Sequence, residues 1–457
     1  MPYKKIGLIC TSDSLPSFVV LLKRLGFDIK ALWCPDTDVS IQTAAENDIS
    51  FVSNKPDEVL LRKDVEMLII TGRPSFHAQL CIKALGIGKH VLCSAPAALT
   101  LAEAQNMVQV AHYYPQILAL VGYGMRQLEI FRRMRKLIQR SYIGTPLVAE
   151  VRVQAPPLYS REDYDWLWEK TAGGGVLHMV GCHVIDLLAF LLDRRADRAQ
   201  GLVETHAKRH QTGGFRRLNA DDFASFLLRM PGMSATVTLN AIGESDFEQE
   251  VCITGSEGQL VARNLQLFGF QSGTDTEQLL FDEDADLTSA NGDLGSSHGS
   301  SQAGGSLNHS HSSIASLRRA SVEQSATSLQ NAAPSPSHQL QIPSPGSIGG
   351  GSFFSNMSPD DQLLYAPMPR LELYEKAFAK LLESLSAAIP HYDSELEKAG
   401  GSWKEIVPHL ASVASFEDVR YVTAVIEAIR YSSDSGDWVS VQSDADTKTV
   451  DSSVSEI

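Results

Sequence analysis

The chain has 457 residues, of which 43% are hydrophobic and 20% are charged, so it is long enough for two or three folded domains. Its formal net charge is −15 and it contains no basic block, which argues against nucleic acid as a partner. No apolar run reaches the roughly 18 residues of a membrane span, so no membrane association is predicted.

The cysteines and the N-terminus indicate the compartment. None of the 6 cysteines forms a C-x-x-C pair, so we predict buried free thiols and no metal site. The apolar stretch that ends at Cys10 is shorter than the roughly 7–15 residues of a signal-peptide core, and it predicts a first strand instead. These features favour a cytoplasmic protein.

Residues 1–125 alternate short apolar runs with amphipathic stretches of helical spacing. Strands that alternate with helices predict a parallel sheet with right-handed crossovers, as in a Rossmann-type dinucleotide-binding domain. The predicted strands are Lys5–Cys10, Asp28–Trp33, Ile49–Val52, Val65–Thr71, His90–Cys93 and Ile117–Tyr123. The predicted helices are Leu15–Leu25, Val39–Asn47, Pro56–Leu61, Ser75–Leu85 and Leu101–His112.

Residues 126–283 and 361–441 read as a second, α+β domain. Consecutive strands without intervening helices predict a large, mostly antiparallel open sheet. Its predicted helices are Leu128–Arg140, Gly173–Leu192, Leu371–Ile389 and Phe416–Arg430. Its predicted strands are Pro146–Gln154, Gly201–Lys208, Asp222–Met230, Ser234–Ile242, Glu248–Thr254 and Gln259–Leu267.

Two further segments differ in composition. Residues 284–360 are rich in Ser, Gly and Pro, which predicts a disordered insertion, and residues 442–457 predict a flexible tail. The insertion contains Arg318-Arg319-Ala320-Ser321, Ser335-Pro336 and Ser344-Pro345, which suit kinases. We therefore expect a phosphoprotein whose insertion is phosphorylated by a kinase or binds another protein.

Several landmarks in this order resemble the Gfo/Idh/MocA family of NAD(P)-dependent sugar and polyol oxidoreductases. They are IGLICTSDS, VEMLIITGRPSFH, GKHVLCSAPAALT, VGYGMR, GGGVLHMVGCHVIDLL and SFEDVRYVTAVIEAIRYSSDSGDWV. The resemblance covers residues 4–270 and 365–441. It implies NAD or NADP as cofactor, a small sugar-like or polyol-like ligand, and a homodimer or homotetramer. Family members elsewhere are described as secreted, which is the alternative location.

The glycine-rich turn of the family is altered in this chain. The family has G-x-G-x-x-G, whose glycines let the backbone approach the pyrophosphate. The three matching positions are Cys10, Ser12 and Leu15, and hydroxyls at Thr11, Ser12 and Ser14 remain as candidate phosphate ligands. The alternative is a plain strand–helix turn with no ligand.

The end of the second strand does not decide between NAD and NADP. Family members that bind NAD usually have an acid there, which bonds the ribose hydroxyls. Here the acid is displaced by about two positions to Asp36, and no arginine stands beside it.

The ends of the next strands supply the other cofactor candidates. Thr71, Pro74 and His77 fall on the family's TP…H segment, which lies under the cofactor. The family's Glu-Lys-Pro triplet is here Ser94-Ala95-Pro96, so Ser94 and Pro96 are predicted cofactor contacts. Alanine has no ionisable group, so the position of the family's catalytic lysine carries no proton-transfer group. Lys89 is predicted to lie at the opposite end of the sheet.

The second domain carries the other acid–base positions. In the family pattern GGG-x-x-x-D-x-G-x-H-x-x-D, Gly173–Gly175, His183 and Asp186 match, whereas Met179 takes the place of the aspartate. His183 therefore matches the family's catalytic base. A lone histidine on an apolar helix is, alternatively, a hydrogen-bonded core residue. Asp186 is predicted to be structural.

Two further residues are candidates for substrate contact. Arg126 follows the sixth predicted strand, where the family often has a polar or basic residue, and Trp166 precedes the glycine run. An aromatic cluster here can also be simple packing.

Three hypotheses follow. The first is a pseudo-oxidoreductase that keeps the fold and the cofactor but lacks two of the family's three central catalytic positions, at Ala95 and Met179. The second is an active oxidoreductase that uses His183 as base. The third is a scaffold or regulator that acts through the insertion.

Overall fold

The N-terminal strands form one parallel sheet. The computed structural model describes residues 5–10, 14–157, 166–207, 218–243, 246–273, 276–283, 372–396 and 410–441. The strands are β1 (Lys5–Ile9), β2 (Asp28–Trp33), β3 (Met67–Ile70), β4 (His90–Cys93) and β5 (Ala119–Val121), in the order β2-β1-β3-β4-β5. The predicted insertion and tail lie outside the described residues.

Helices cover both faces of this sheet, which explains why its strands are apolar throughout. They are α1 (Leu15–Arg24), α2 (Thr37–Glu46), α3 (Pro56–Leu60), α4 (His77–Gly86) and α5 (Leu101–Tyr113). The predicted strand Ile49–Val52 is reduced to a single parallel bridge between Leu32 and Val52. The Rossmann-type prediction is confirmed.

The second sheet has nine strands among the described residues. Neighbouring strands are antiparallel except for one parallel pair, β6 with β9, which confirms a mostly antiparallel sheet. The order is β13-β12-β11-β10-β6-β9-β8-β7-β14. The strands are β6 (Pro146–Gln154), β7 (Arg198–Glu204), β8 (Phe223–Met230), β9 (Met233–Asn240), β10 (Glu248–Gly255), β11 (Gly258–Arg263), β12 (Gln266–Gln271), β13 (Gln278–Asp282) and β14 (Val439–Ser440).

The predicted strand Gln259–Leu267 is in fact a hairpin. Asn264 has a φ of 50°, a left-handed conformation that asparagine tolerates, and it turns the chain between β11 and β12. β12 was not predicted as a separate strand, because the apolar pattern continues across this turn, and β13 was not predicted at all.

The helices of the second half are α6 (Glu129–Gln139), α7 (Cys182–Leu192), α8 (Glu372–Leu396) and α9 (Phe416–Ser435). The predicted helix Gly173–Leu192 starts later than expected, because Gly173 and Gly175 have φ values of 93° and 98°. A π-helical segment, Leu177–Gly181, leads into α7. Lys170–Leu192 is long and apolar enough to cross a membrane, but 89% of its most apolar window is buried, as in a core helix.

Helix α8 packs against the first sheet although it follows the insertion in sequence. Leu381, Leu382 and Leu385 share a core cluster with β1 and α1, and Phe378 stacks on Phe18 of α1 with ring centroids 6.0 Å apart. The N-terminal sheet is therefore covered on this face by a helix from the far end of the chain.

Candidate functional site

The carboxyl ends of β1, β3 and β4 lie side by side. The amide of Thr71 donates to Ile9 O at 2.7 Å, and the amide of Ser94 donates to Ile70 O at 2.8 Å. The strand order reverses between β1 and β3, and in open α/β sheets ligands bind outside the carboxyl ends at such a point. The fold therefore brings Cys10, Thr71 and Ser94 to one edge.

The turn after β1 is described only at its two ends. Cys10 is buried, and its Sγ lies 3.4 Å from Oγ of Ser14, the residue that precedes α1. The hydroxyl of Ser14 makes no capping bond to the helix. Thr11 and Ser12, two of the predicted phosphate ligands, lie outside the described residues.

The acid after β2 caps a helix. Oδ1 of Asp36 accepts hydrogen bonds from the amides of Asp38 and Val39, at 3.0 and 3.1 Å. These are N-cap contacts, which satisfy free amides of the first turn of α2. Asp36 is thus tied to α2 by these two contacts.

Two buried polar atoms after β3 have no partner among the described residues. They are Oγ1 of Thr71 and Nε2 of His77. Nδ1 of His77 lies 2.8 Å from Pro96 O, and burial lowers the pKa of the imidazole to about 4. A neutral ring that donates from Nδ1 to this carbonyl has Nε2 as its acceptor, and the backbone of Gly72 also lies beside the ring, where it opposes the lowering of the pKa. A ligand at this edge would therefore meet one hydroxyl and one acceptor already desolvated.

The loop after β4 holds the triplet that replaces the family's Glu-Lys-Pro. The Ala95–Pro96 peptide bond is cis, and Ala95 is half-buried. Lys89 lies at the other end of β4, where its Nζ donates to Arg62 O at 2.6 Å and to Val65 O. That end also has a cleft of about 420 Å³, far from these loops. Lys89 therefore cannot bring its amino group to position 95, where Ala95 carries no charge.

His183 lies on α7 between two tyrosine rings. Tyr374 of α8 stacks on it with centroids 4.7 Å apart, and Tyr123 meets its edge at 5.7 Å. The hydroxyl of Tyr374 donates to Oε1 of Gln249 at 2.8 Å. His183 is half-buried as a side chain, but its Nδ1 is buried and has no partner among the described residues. Desolvation lowers the pKa of the imidazole to about 4, so the ring is neutral at pH 7.

The position of the family's aspartate is apolar and buried. Met179 is 7% exposed. The neighbouring His178 belongs to a separate network, in which Arg430 lies 2.8 Å from Oδ1 of Asp221 and 3.3 Å from Nδ1 of His178. No carboxylate at position 179 is therefore available to His183.

Arg126 is held in a buried ion pair. Its Nε donates to Oδ2 of Asp186 at 2.8 Å, and its Nη2 lies 3.1 Å from Asp418 at the start of α9. Burial raises the pKa of Asp186 to about 6, although the attraction of Arg126 lowers it. Because this pKa still lies below 7, the carboxylate and the guanidinium form an ionised pair at neutral pH. Asp186 thus has the structural role that was predicted, and a substrate role for Arg126 stays a prediction.

The remaining predicted residues lie around the second-domain glycine loop. Trp166 is half-buried in a short 3-10 turn. This turn lies close to Gly174, because a Cβ on Gly174 would lie 2.9 Å from the carbonyl oxygen of Trp166. Pro74 packs against the same loop, since a Cβ on Gly173 would lie 2.8 Å from its side chain. The turn that carries Trp166 and the loop that carries Pro74 therefore meet at the Gly173–Gly175 segment.

The sequence analysis did not identify Tyr123 and Tyr374 as neighbours of His183. Tyr123 follows β5, and Tyr374 lies in the predicted helix Leu371–Ile389. Nothing local in the sequence indicates that this helix returns to the first sheet, because its contacts there are made by residues far apart in the chain.

All 6 cysteines are free and buried, as the sequence predicted. Among the described residues, no group of three or more His, Cys, Asp or Glu side chains could hold a metal ion. Burial raises the pKa of the Cys182 thiol, and likewise that of Cys93. These thiols are therefore protonated packing groups.

Two family descriptions match the chain. Residues 6–123 match the oxidoreductase family with an NAD-binding Rossmann fold, and residues 131–261 match the GFO/IDH/MocA C-terminal domain. Among curated proteins, the chain is 37% identical over 277 residues to human glucose-fructose oxidoreductase domain-containing protein 2. That match covers 60% of this chain and 71% of the human protein.

Solved structures show the same fold at lower identity. An oxidoreductase domain protein from Kribbella flavida has a TM-score of 0.64 at 20% identity, covering 97% of this chain and 100% of that chain. Levoglucosan dehydrogenase, in complex with NADH and levoglucosan, has a TM-score of 0.63 at 17% identity, covering 96% and 100%. At this level of identity the likeness concerns the fold alone.

Proposed function

Because the chain belongs to the Gfo/Idh/MocA family of oxidoreductases, we propose that it binds a nicotinamide dinucleotide but lacks the proton-transfer groups of a working member. It is then a pseudo-oxidoreductase, which acts through binding. The observation that carries this proposal is the side chain at position 95, where Ala95 has a methyl group in place of the family's lysine.

The carboxyl edge of the first sheet supports the binding half of the proposal. Buried polar groups are nearly always hydrogen-bonded, so Thr71 Oγ1 and His77 Nε2 are exceptions that need a partner. A nicotinamide ribose or carboxamide offers both donors and acceptors to such atoms. When bound, the nicotinamide supplies hydride transfer, and the protein's part is to hold and orient it.

The acid–base positions support the other half. Ala95 and Met179 cannot carry a proton, and His183 has a pKa of about 4. General acid–base catalysis works best when the pKa lies near the working pH, so a base this weak gives little driving force at pH 7. Each missing group is worth about 10²–10⁴ in rate.

One observation favours the alternative, an active enzyme that uses His183. Nδ1 of His183 has no partner among the described residues, so no hydrogen bond within that part of the chain occupies this nitrogen. A base of low pKa can still act if a substrate or cofactor raises that pKa on binding.

The test of binding is isothermal titration of the full chain with NAD⁺, NADH, NADP⁺ and NADPH. We expect saturable binding of at least one of them, together with a raised melting temperature; a ligand at 100 times its Kd stabilises by about 2.7 kcal/mol. If none of the four binds or stabilises the chain, the proposal is wrong.

The test of catalysis is cofactor turnover with a panel of sugars and polyols. We expect no turnover above the protein-free rate. Turnover that His183→Ala abolishes and that the exposed-histidine control His112→Ala leaves unchanged would establish the active enzyme instead. A gain of turnover on Ala95→Lys combined with Met179→Asp would support the loss of these two groups as the cause.

A further inference from the structure

We infer that Arg73 binds the pyrophosphate of the dinucleotide and takes over the task of the altered glycine turn. Arg73 lies in the β3–α4 corner, which we define as residues 71–77. This inference rests on the proposed function and extends it to a residue outside the family's phosphate-binding turn.

The position of the corner carries the first part of the argument. Its first residue, Thr71, is bonded to Ile9 at the end of β1, so the corner begins beside Cys10 at the reversal of strand order. Phosphates bound to this fold lie at that reversal, close to the carboxyl end of β1. A cation three residues beyond the end of β3 is therefore within the region where the pyrophosphate is expected.

The state of the side chain carries the second part. Arg73 is exposed, and no carboxylate among the described residues pairs with it. Arg62, in the same half of the chain, makes a two-pronged contact with Asp64 at 2.6–2.7 Å. A guanidinium without a carboxylate is available for an external anion, and its fork geometry matches phosphate oxygens.

The corner is fixed on both sides of Arg73. Nδ1 of His77 bonds to Pro96 O, and Pro74 packs against Gly173. The backbone around Arg73 is thus ordered before any ligand arrives, which lowers the entropic cost of binding. Only the side chain of Arg73 then has to become ordered when the ligand binds.

The chemistry of the turn explains why an arginine is needed here. A glycine turn binds pyrophosphate through backbone amides at close approach, and this chain has Cys10, Ser12 and Leu15 where the family has glycines. A charged donor from the neighbouring loop restores the attraction without close backbone contact.

The experiment measures binding by isothermal titration with NAD⁺, ADP and inorganic pyrophosphate. The variants are Arg73→Gln and Arg73→Lys, and the control is Lys63→Gln, an exposed cation at the amino end of β3. We expect Arg73→Gln to weaken all three ligands about tenfold or more, because charge-assisted hydrogen bonds are lost. Arg73→Lys should recover part of the affinity, and Lys63→Gln should change nothing.

The outcomes separate this inference from the proposed function. If wild-type chain binds NAD⁺ and Arg73→Gln binds it equally well, the inference is overturned and the proposed function stands. If wild-type chain binds pyrophosphate through Arg73 but no dinucleotide, the corner is an anion site and the proposed function fails. If wild-type chain binds none of the three ligands, both are overturned.

Discussion

The two sides of the candidate site differ in their charged groups, which, within the described part of the chain, form buried ion pairs on one side only. On the side of the second sheet, Arg126 is paired with Asp186, and Arg430 with Asp221. On the side of the first sheet, Thr71 Oγ1 and His77 Nε2 are buried without partners among the described residues. The charged pairs beside the second sheet are complete without a ligand, although Nδ1 of His183 on that side also lacks a partner among the described residues. Beside the first sheet, the two polar atoms without partners are an uncharged hydroxyl and an imidazole nitrogen.

This difference separates architecture from binding. A buried ion pair that loses one partner leaves a charge without compensation, so the paired side must stay intact for the chain to fold. An unpartnered hydroxyl lowers stability slightly, and such a cost is typical of a site that a ligand completes. Substitutions on the two sides should therefore change stability in opposite directions.

The largest expected effect is acid unfolding, which acts on both sides. Burial lowers the pKa of four histidines from 6.5 to about 4: His77, His90, His178 and His183. The unfolded chain therefore binds more protons between pH 6.5 and 4, and stability is lost as the pH falls through that range. Each histidine contributes at most about 3 kcal/mol, and Asp186 partly offsets this because its raised pKa favours the folded state in acid.

Urea unfolding at pH 7, 5.5 and 4.5 measures this loss, and hydrogen exchange read by region shows which side opens first. A free energy of unfolding that stays constant or rises on acidification would contradict the prediction.

The next largest effect is expected on the paired side. Arg126→Met leaves Asp186, which is 1% exposed, as a buried carboxylate without its partner. We expect the free energy of unfolding to fall by about 3–5 kcal/mol in urea titrations at pH 7. The surface control Lys83→Gln, which removes an exposed pair with Asp57, should cost less than about 1 kcal/mol. Equal effects of the two variants would remove the contrast between the two sides.

A smaller loss is expected for Tyr374→Phe. The change keeps the ring on His183 but removes the donor to Oε1 of buried Gln249. An acceptor left without its donor costs about 1–3 kcal/mol, which chemical denaturation can measure. Tyr431→Phe is the control, because Tyr431 is 67% exposed and should tolerate the change. A neutral Tyr374→Phe would mean that water replaces the lost hydroxyl.

The smallest effect, and one of opposite sign, is expected for Thr71→Val. Replacing an unpartnered buried hydroxyl with a methyl group should raise the free energy of unfolding by up to about 1 kcal/mol. The same change should weaken dinucleotide binding in calorimetry, since it removes a donor from the site. Thr145→Val, at an exposed position, should change neither quantity. If Thr71→Val lowers the free energy of unfolding, the Thr71 hydroxyl has a stabilising partner in the folded chain and the prediction is wrong.

The sequence predicts the alternation of strands and helices well, because each parallel strand is a short apolar run between clear turn residues. It also places Thr71, Ser94 and Pro96 at one edge, since the carboxyl ends of parallel strands meet there. The absence of a lysine at Ala95 is visible from the residue types alone.

The sequence does not reveal which partner each charge takes. Arg126 reads as a substrate candidate, and its bond to Asp186 depends on the packing of α7 against the turn after β5. The stack of Tyr374 on His183 likewise joins residues from opposite ends of the second half. Such contacts arise from tertiary packing, to which local periodicity is blind.

Helix α8 has a consequence for the synthesis of the chain. Its leucines cover the face of the first sheet that α1 leaves open, yet they leave the ribosome only after residue 381, long after β5 at residues 119–121. Domains otherwise begin to fold from the N-terminus during translation. The first sheet therefore keeps this apolar face uncovered until α8 has been synthesised, which is late in translation of the chain. During that time the nascent chain depends on protection from aggregation.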